Sequence, residues 1–293
     1  MTLRILITGT SGLLGEDVAT FMMKKKYEVI EFRGRKDCDL SKTEDALNRI
    51  TSYKPDVVIH CAGTHDIDYV EKNPTEGFRD IVLTTKNVAL ACRRIGAILI
   101  FPGSDYIFDG LKASPYFEYD EANPVNYYGK FKYMAEQLIR ELLKEYFILR
   151  MPILFGVGGR KERNLLYRIY TKISGGQVIE AAADQVSSCA FTLDMALVID
   201  KVMKTDYYGT YHVANDGFCS RYELYREIAT LLNLPVEKVI PRQSSELKRP
   251  AKRPKYTVLN TTLIEQVFGI KLRHWRDALR DCVNEFKKRY GIQ

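Results

Sequence analysis

Residues 3–15 read Leu3-Arg4-Ile5-Leu6-Ile7-Thr8-Gly9-Thr10-Ser11-Gly12-Leu13-Leu14-Gly15. The first six form a short, mostly apolar run with β-branched residues, as in a buried strand. Three glycines follow at G-x-x-G-x-x-G spacing. Residues 16–26 then read as a helix, with Leu13, Leu14, Val18, Phe21 and Met22 on one face. A strand, a glycine turn and a helix N-terminus make an anion site, because the first N–H groups of a helix lack partners and its dipole is positive there. Gly9 would permit the tight turn, Gly12 a close approach of backbone to a pyrophosphate, and Gly15 close packing of helix on strand. The stretch predicts a dinucleotide-binding fold.

The pattern continues outward. Residues 27–32 read as the second strand, 56–60 as the third, 97–101 as the fourth and 147–150 as the fifth. Helices are expected at 41–53, opened by a Ser41-Lys42-Thr43-Glu44 capping box, at 81–95 and at 126–146. Strands alternating with helices imply right-handed βαβ units and a doubly wound parallel sheet, an α/β fold of Rossmann type. Ligands of such sheets lie beyond the carboxyl ends of the strands. After Arg150 the rhythm breaks. Helices are expected at 162–173, 192–204, 220–233 and 275–289, and short strands at 178–179 and 210–214. A basic, proline-containing segment without apolar period covers 241–256. The chain thus divides into a dinucleotide-binding domain over 1–150, to which segments near 190–215 return, and a smaller substrate lobe over 151–293.

The 293 residues, 46% apolar and 28% charged, suit a globular enzyme. No apolar run reaches membrane-spanning length and no signal-peptide pattern opens the chain, so a cytoplasmic protein with no membrane partner is expected. The net charge of +7 is scattered, which argues against a nucleic-acid partner and suits a small anionic substrate. Lys24-Lys25-Lys26 and Lys287-Lys288-Arg289 read as helix C-terminal ends, where cations are favoured. The six cysteines show no C-x-x-C spacing and are expected to be reduced. No histidine pattern points to a metal, and His60 reads as a structural residue at a strand end.

Tyr128 and Lys132 stand at i and i+4 on the long helix and so share a face. An ammonium beside a phenol lowers the phenol's pKa, which suits a general acid or base near neutral pH. The chain holds 19 tyrosines, so Y-x-x-x-K alone means little. Its place after the fourth strand gives it weight. So does Phe101-Pro102-Gly103-Ser104-Asp105, which sets a hydroxyl at the carboxyl end of that strand.

Together, Thr8-Gly9-x-x-Gly12-x-x-Gly15, Ser104 and Tyr128-x-x-x-Lys132 resemble an extended short-chain dehydrogenase/reductase. Finer runs resemble its dTDP-4-dehydrorhamnose reductase branch. These are Ser104-Asp105-Tyr106-Ile107-Phe108-Asp109-Gly110 before Pro115-Tyr116, and Asn123-Pro124-Val125-Asn126-Tyr127-Tyr128-Gly129-Lys130. Asp184-Gln185 before Asp194-Met195-Ala196, and Lys252-Arg253-Pro254 before Leu259-Asn260, complete the set. The likeness runs from about residue 3 to about residue 283. It implies that Tyr128 gives a proton to a substrate carbonyl oriented by Ser104. It further implies that Lys132 holds the nicotinamide ribose and lowers the Tyr128 pKa. Gly9, Ser11, Gly12, Leu13, Leu14 and Gly15 would line the pyrophosphate, Asp39 and Leu40 would lie near the adenine, and Ala62 and Gly63 would run along the cofactor. Asp105 and Tyr106 would face the substrate. Arg253 is a candidate for the substrate's nucleotide diphosphate.

The implied reaction is hydride transfer from NAD(P)H to the 4-keto group of a nucleotide-linked 6-deoxysugar. The second strand ends Glu31-Phe32-Arg33-Gly34-Arg35. Arginine at Arg33 favours NADP, whose 2′-phosphate a carboxylate would repel. A register shift of one or two residues brings Glu31 into play and makes NAD the alternative. Some positions depart from the branch. Arg150-Met151-Pro152-Ile153-Leu154-Phe155-Gly156 puts Ile153 where an aromatic packs on the sugar, Ser188-Cys189-Ala190 replaces Ser-Pro-Thr, and Ile81 replaces an asparagine. The same Arg-x-Pro-Ile-Leu-aromatic-Gly form resembles the regulatory β subunit of methionine adenosyltransferase, an NADP-binding partner subunit. The reductase is thus the first expectation. A non-catalytic regulatory subunit and an NAD-dependent sugar-nucleotide epimerase or dehydratase are the alternatives, and the assembly left open is a homodimer.

Overall fold

The computed structural model describes residues 3–292. Its first half runs β1 (Arg4–Thr8), α1 (Leu13–Lys24), β2 (Glu28–Phe32), α2 (Thr43–Tyr53), β3 (Val57–His60), α3 (Ile67–Lys72) and α4 (Pro74–Phe78). A π-helical turn, Arg79–Leu83, then leads into α5 (Thr84–Ile95), β4 (Ile98–Ser104), α6 (Tyr127–Leu142) and β5 (Tyr146–Met151). The second half holds β6 (Ile153–Phe155), α7 (Leu165–Ser174), β7 (Ile179–Ala182), β8 (Val186–Ser187), β9 (Cys189–Phe191), α8 (Thr192–Val202) and β10 (Gly209–His212). It ends with β11 (Cys219–Ser220), α9 (Arg221–Leu231), β12 (Val239–Arg242), β13 (Tyr256–Thr257), α10 (Thr262–Phe268) and α11 (Trp275–Tyr290).

Six strands form one parallel sheet in the order β10-β5-β4-β3-β1-β2. From β1 the chain goes to β2 on one side and to β3 on the other. A crevice therefore opens between their carboxyl ends, at the topological switch point. Ile5, Leu6, Ile7, Val57, Val58 and Ile59 are fully buried, since helices cover both faces of the sheet. Ile5 and Ile7 join a core with α1, α8 and α10, whereas Leu6 and Val58 join one with α2, α5 and α6. A third core lies between α7, α9 and α11. The expected return of residues 190–215 holds, because α8 packs on α1 and β10 pairs with β5. An unexpected segment returns as well, for Ile264 and Phe268 of α10 pack into the same core.

Several boundaries differ from expectation. The long helix stops at Leu142, because Leu143 turns extended and Tyr146 already belongs to β5. The capping box before α2 does not form: Lys42 is the N-cap, and the Ser41 hydroxyl donates to Asp39 Oδ1 at 2.6 Å instead. The fourth strand runs on through Pro102 and Gly103 to Ser104. The helices α3, α4 and α10 and the strands β6, β8, β9, β11, β12 and β13 were not expected; each is too short to show a period. Among the described residues no helix is long and apolar enough to cross a membrane.

Candidate active site

The glycine turn is built on the end of β2. Gly9 and Thr10 both donate their N–H groups to the Phe32 carbonyl, at 2.7 and 3.3 Å. Gly9 holds φ +73°, and a Cβ there would lie 2.6 Å from the Ala62 nitrogen. A Cβ on Gly15 would overlap the Gly9 carbonyl oxygen, which is why the helix can sit so close to the strand. Gly15→Ala is expected to cost about 1–3 kcal/mol through this overlap, read as a lower urea midpoint. An unchanged midpoint would mean that the turn relaxes freely. Gly12 is the N-cap of α1 and has no side chain to satisfy its first N–H groups, so the turn presents them uncapped. The loop after β6 is seated on this same helix start: Gly159 donates to Glu16 Oε2 at 2.8 Å, and a Cβ on Gly159 would come within 2.8 Å of the Leu13 nitrogen. That second glycine contact was not foreseen.

At the end of β2 the Ser11 hydroxyl donates to the Arg33 carbonyl at 2.7 Å. Asp37 Oδ2 accepts from the backbone of Arg33 and Gly34, at 2.7 and 3.1 Å. Arg33 is exposed and among the described residues makes no ion pair, whereas Arg35 pairs with Asp80 at 2.7 Å. Asp39 is engaged in its own turn; the Ser41 hydroxyl holds its carboxyl below the usual range. Leu40 is buried, and its carbonyl accepts from Asn87 Nδ2 at 2.9 Å. Across the crevice Ala62 donates its N–H to Thr8 Oγ1 at 3.2 Å, and Gly63 takes φ +144°. His60 is structural, as expected: its Nδ1 meets Thr8 Oγ1 at 2.8 Å, and burial pushes its pKa down to about 3, so it stays neutral.

Ser104 and Tyr128 are brought together. Ser104 ends β4, and Tyr128 lies in the first turn of α6, whose N-cap Asn126 accepts from the Gly129 N–H at 2.8 Å. A Cβ on Gly129 would overlap the Tyr106 carbonyl oxygen, so the helix sits tightly against the segment that follows Ser104. Tyr128 and Ser104 share a hydrogen bond. Ser104 Oγ also accepts from the Tyr106 N–H at 3.1 Å and faces Asp105 Oδ1 at 3.4 Å. Lys132 is buried on the same helix face. Its ammonium donates to the Pro102 carbonyl at 2.5 Å and stands 4.1 Å from the centre of the Phe101 ring.

The expected depression of the Tyr128 pKa by Lys132 is not found. Burial raises the phenol's pKa well above its ordinary value, and the Ser104 hydrogen bond offsets this only in part. The reason is geometric, for the Lys132 ammonium is bonded to Pro102. Burial lowers the Lys132 pKa to about 8, against the pull of Glu136. Asp105 is buried too and is pushed up to about 6; its Oδ2 accepts from the Thr257 hydroxyl at 2.6 Å. The Tyr106 ring meets the Tyr128 ring edge-on, with centres 6.1 Å apart.

Arg253 lies elsewhere than the motif suggested. Both of its terminal nitrogens bind Asp68 of α3, at 2.6 and 2.8 Å. Of the positions that depart from the branch, Cys189, Ala190 and Ile81 are buried core residues, whereas Ile153 is partly exposed. Trp275 is fully buried, as packing would have it. Sequence reasoning missed the buried Glu136–Arg150 pair behind Ser104 and the arginines Arg221 and Arg249 near Tyr106. Arg221 did carry a signal: it follows the N-cap Ser220, and a cation in the first turn opposes the helix dipole.

The model of the family described as "RmlD substrate binding domain" matches residues 3–288. A dTDP-4-dehydrorhamnose reductase of Mycolicibacterium smegmatis is 31% identical over 285 residues, covering 97% of this chain and 86% of that protein. Methionine adenosyltransferase 2 subunit beta of Rattus norvegicus is 29% identical over 278 residues, 89% of this chain and 81% of that protein. The crystal structure of dTDP-4-dehydrorhamnose reductase from Bacillus anthracis in complex with NADP superposes with a TM-score of 0.91 at 30% identity, covering 97% of this chain and all of that one. The chain therefore belongs to the RmlD substrate binding domain family, the dTDP-4-dehydrorhamnose reductase-like branch of the extended short-chain dehydrogenase/reductases, and is an oxidoreductase of that type.

Proposed function

We propose that this chain reduces the 4-keto group of a nucleotide-linked 6-deoxysugar with NADPH, as a dTDP-4-dehydrorhamnose reductase does. The observation that carries the reading is the hydrogen-bonded pair of Ser104 and Tyr128, with Lys132 on the same helix face, at the end of β4 beside the crevice. NADPH, when bound, supplies the hydride. Burial keeps the Tyr128 hydroxyl protonated at neutral pH, so Tyr128 meets the carbonyl oxygen as a proton donor. Ser104 gives the same oxygen a second hydroxyl to lean on, and it can also hold the phenolate that Tyr128 becomes. Lys132, with a pKa of about 8, is still charged at pH 7 and holds the cofactor's ribose hydroxyls. Asp105 and Tyr106 face the sugar.

The residues present suit the dinucleotide. Gly12 leaves the α1 N-terminus uncapped for the pyrophosphate, with Gly9, Ser11, Leu13, Leu14 and Gly15 around it. Ala62 and Gly63 are small enough to let the cofactor pass, and Asp39 and Leu40 flank the adenine. Arg33, exposed and without a carboxylate partner, receives the 2′-phosphate. The six free cysteines fit a cytoplasmic location.

The test is loss of NADPH absorbance on addition of dTDP-4-keto-6-deoxysugars. Turnover is expected, and its absence over a panel of nucleotide-linked 4-ketosugars would overturn the reading. Arg33→Ala is expected to weaken NADPH about 10- to 100-fold, as loss of a hydrogen bond to a charged group does, and to leave NADH unchanged. Equal losses for both cofactors would remove Arg33 from this role.

A further inference from the structure

Three arginines gather where the segment before β13 and the start of α9 approach Tyr106, and their partners differ. Arg253 is neutralised by the two-pronged contact with Asp68. The residues around it serve the same joint: Ala251 donates its N–H to Asp68 Oδ1 at 3.1 Å, and the Lys252 carbonyl accepts from Asn126 Nδ2 at 2.8 Å. Arg253 thus ties α3 and the N-cap of α6 to the second half of the chain. Arg221 and Arg249 are placed otherwise. Among the described residues neither has a carboxylate within ion-pair range. Arg221 hydrogen-bonds the Tyr106 side chain, and Arg249 Nη1 donates to Gln185 Oε1 at 3.2 Å. The two guanidinium groups repel each other, and Arg221 also opposes the dipole of its own helix. Two like charges held close, each oriented by a neutral partner, form a site for an anion.

We propose that Arg221 and Arg249 receive the diphosphate of the nucleotide-linked substrate, oriented by Tyr106 and Gln185, and that Arg253 is a strut and not a ligand-binding residue. The proposal rests on the substrate class of the preceding section. Tyr106 stands between Arg221 on one side and Tyr128 on the other, so the sugar would lie across it, with its carbonyl end at Tyr128 and its phosphate end at the arginines. The cleft lined by Tyr106, Gln185, Arg221 and Thr257 has a volume of about 10 Å³, room for one water at most. Entry of a diphosphate therefore moves the exposed Arg249 outward while Arg221 stays anchored in α9.

The experiment is calorimetric titration of dTDP and of thymidine into the wild type and into Arg221→Gln, Arg249→Gln and Arg253→Gln, with NADPH affinity as the control for folding. Arg221→Gln and Arg249→Gln are each expected to raise the Kd for dTDP about tenfold or more, to leave thymidine and NADPH unchanged, and to flatten the salt dependence of dTDP binding. With a ketosugar substrate KM rises and kcat holds. Arg253→Gln is expected to lower the unfolding midpoint and to change dTDP binding less than either. Wild-type dTDP affinity in Arg221→Gln and Arg249→Gln overturns the assignment whether or not a ketosugar is turned over, as does a wild type that binds no nucleoside diphosphate. Intact dTDP binding without turnover overturns the reductase reading alone.

Discussion

Tyr128→Phe is expected to lower NADPH-dependent reduction of a ketosugar about a hundred- to ten-thousandfold, the range by which a positioned general acid accelerates proton transfer. The substitution removes little else. The ring stays buried against Tyr106, and what goes is one hydroxyl and its bond to Ser104. Without it, hydride addition would leave an alkoxide that only Ser104 could stabilise, in a site shielded from water. The loss should fall on kcat, with KM little changed, because the hydroxyl acts where charge develops on the oxygen. NADPH affinity should hold, since Lys132 and the glycine turn are untouched. The measurement is steady-state kcat beside a fluorescence titration of NADPH. A Tyr128→Phe protein within a few-fold of wild type would take the proton from another group. A wild type that binds NADPH and turns over no ketosugar would place the chain with the partner subunits that its likeness to methionine adenosyltransferase 2 subunit beta allows.

The residues of this site differ in how far the sequence betrays them, and the difference is physical. The strands β1 and β3 are legible because burial on both faces demands continuous apolar runs, and the glycine turn because no other residue fits at Gly9 or Gly15. Ser104 is legible by its place after such a run. The lobe that covers the crevice is not, since β8, β11 and β13 are two residues each and owe their pairing to partners far along the chain. Arg253 shows the same limit: nothing local tells that Asp68, 185 residues away, will hold it. Tyr128 shows a further one. The i, i+4 lysine is visible in the sequence, but the sign of the pKa shift turns on burial and on a carbonyl at Pro102 that claims the ammonium. For proton donation the outcome is favourable, because a phenol whose pKa is raised arrives protonated.

Removing Glu136 is expected to be the most damaging single change to stability, at about 3–5 kcal/mol for Glu136→Gln. Its carboxylate is fully buried and accepts from Arg150 Nη2 at 2.9 Å, from Arg150 Nε at 3.1 and 3.2 Å, and from Arg140 Nη2 at 3.0 Å. Arg150 is itself buried, and its other partners are the Glu118 carbonyl at 3.0 Å and His212 Nε2 at 3.4 Å, neither of them charged opposite to it. Without Glu136 the guanidinium is left in the interior uncompensated. The pair also stands directly behind the site: a Cβ on Gly103 would lie 2.9 Å from Glu136 Oε1, and Gly103 joins Pro102, which holds Lys132, to Ser104. Replacing both partners by apolar residues, Glu136→Leu with Arg150→Met, should recover most of the loss, because no charge is then stranded. Denaturant midpoints with linear extrapolation measure both variants, and a single variant within about 1 kcal/mol of wild type would show that the pair is not what holds this corner. The pH profile separates the two roles of the carboxylate. Lys132 works protonated, burial has already lowered its pKa to about 8, and Glu136 is the group that resists this. Either variant should therefore lose activity at lower pH than wild type on the alkaline side, the doubly substituted one included even as its stability returns; an alkaline limb that stays in place would mean that Lys132 owes its charge to other neighbours.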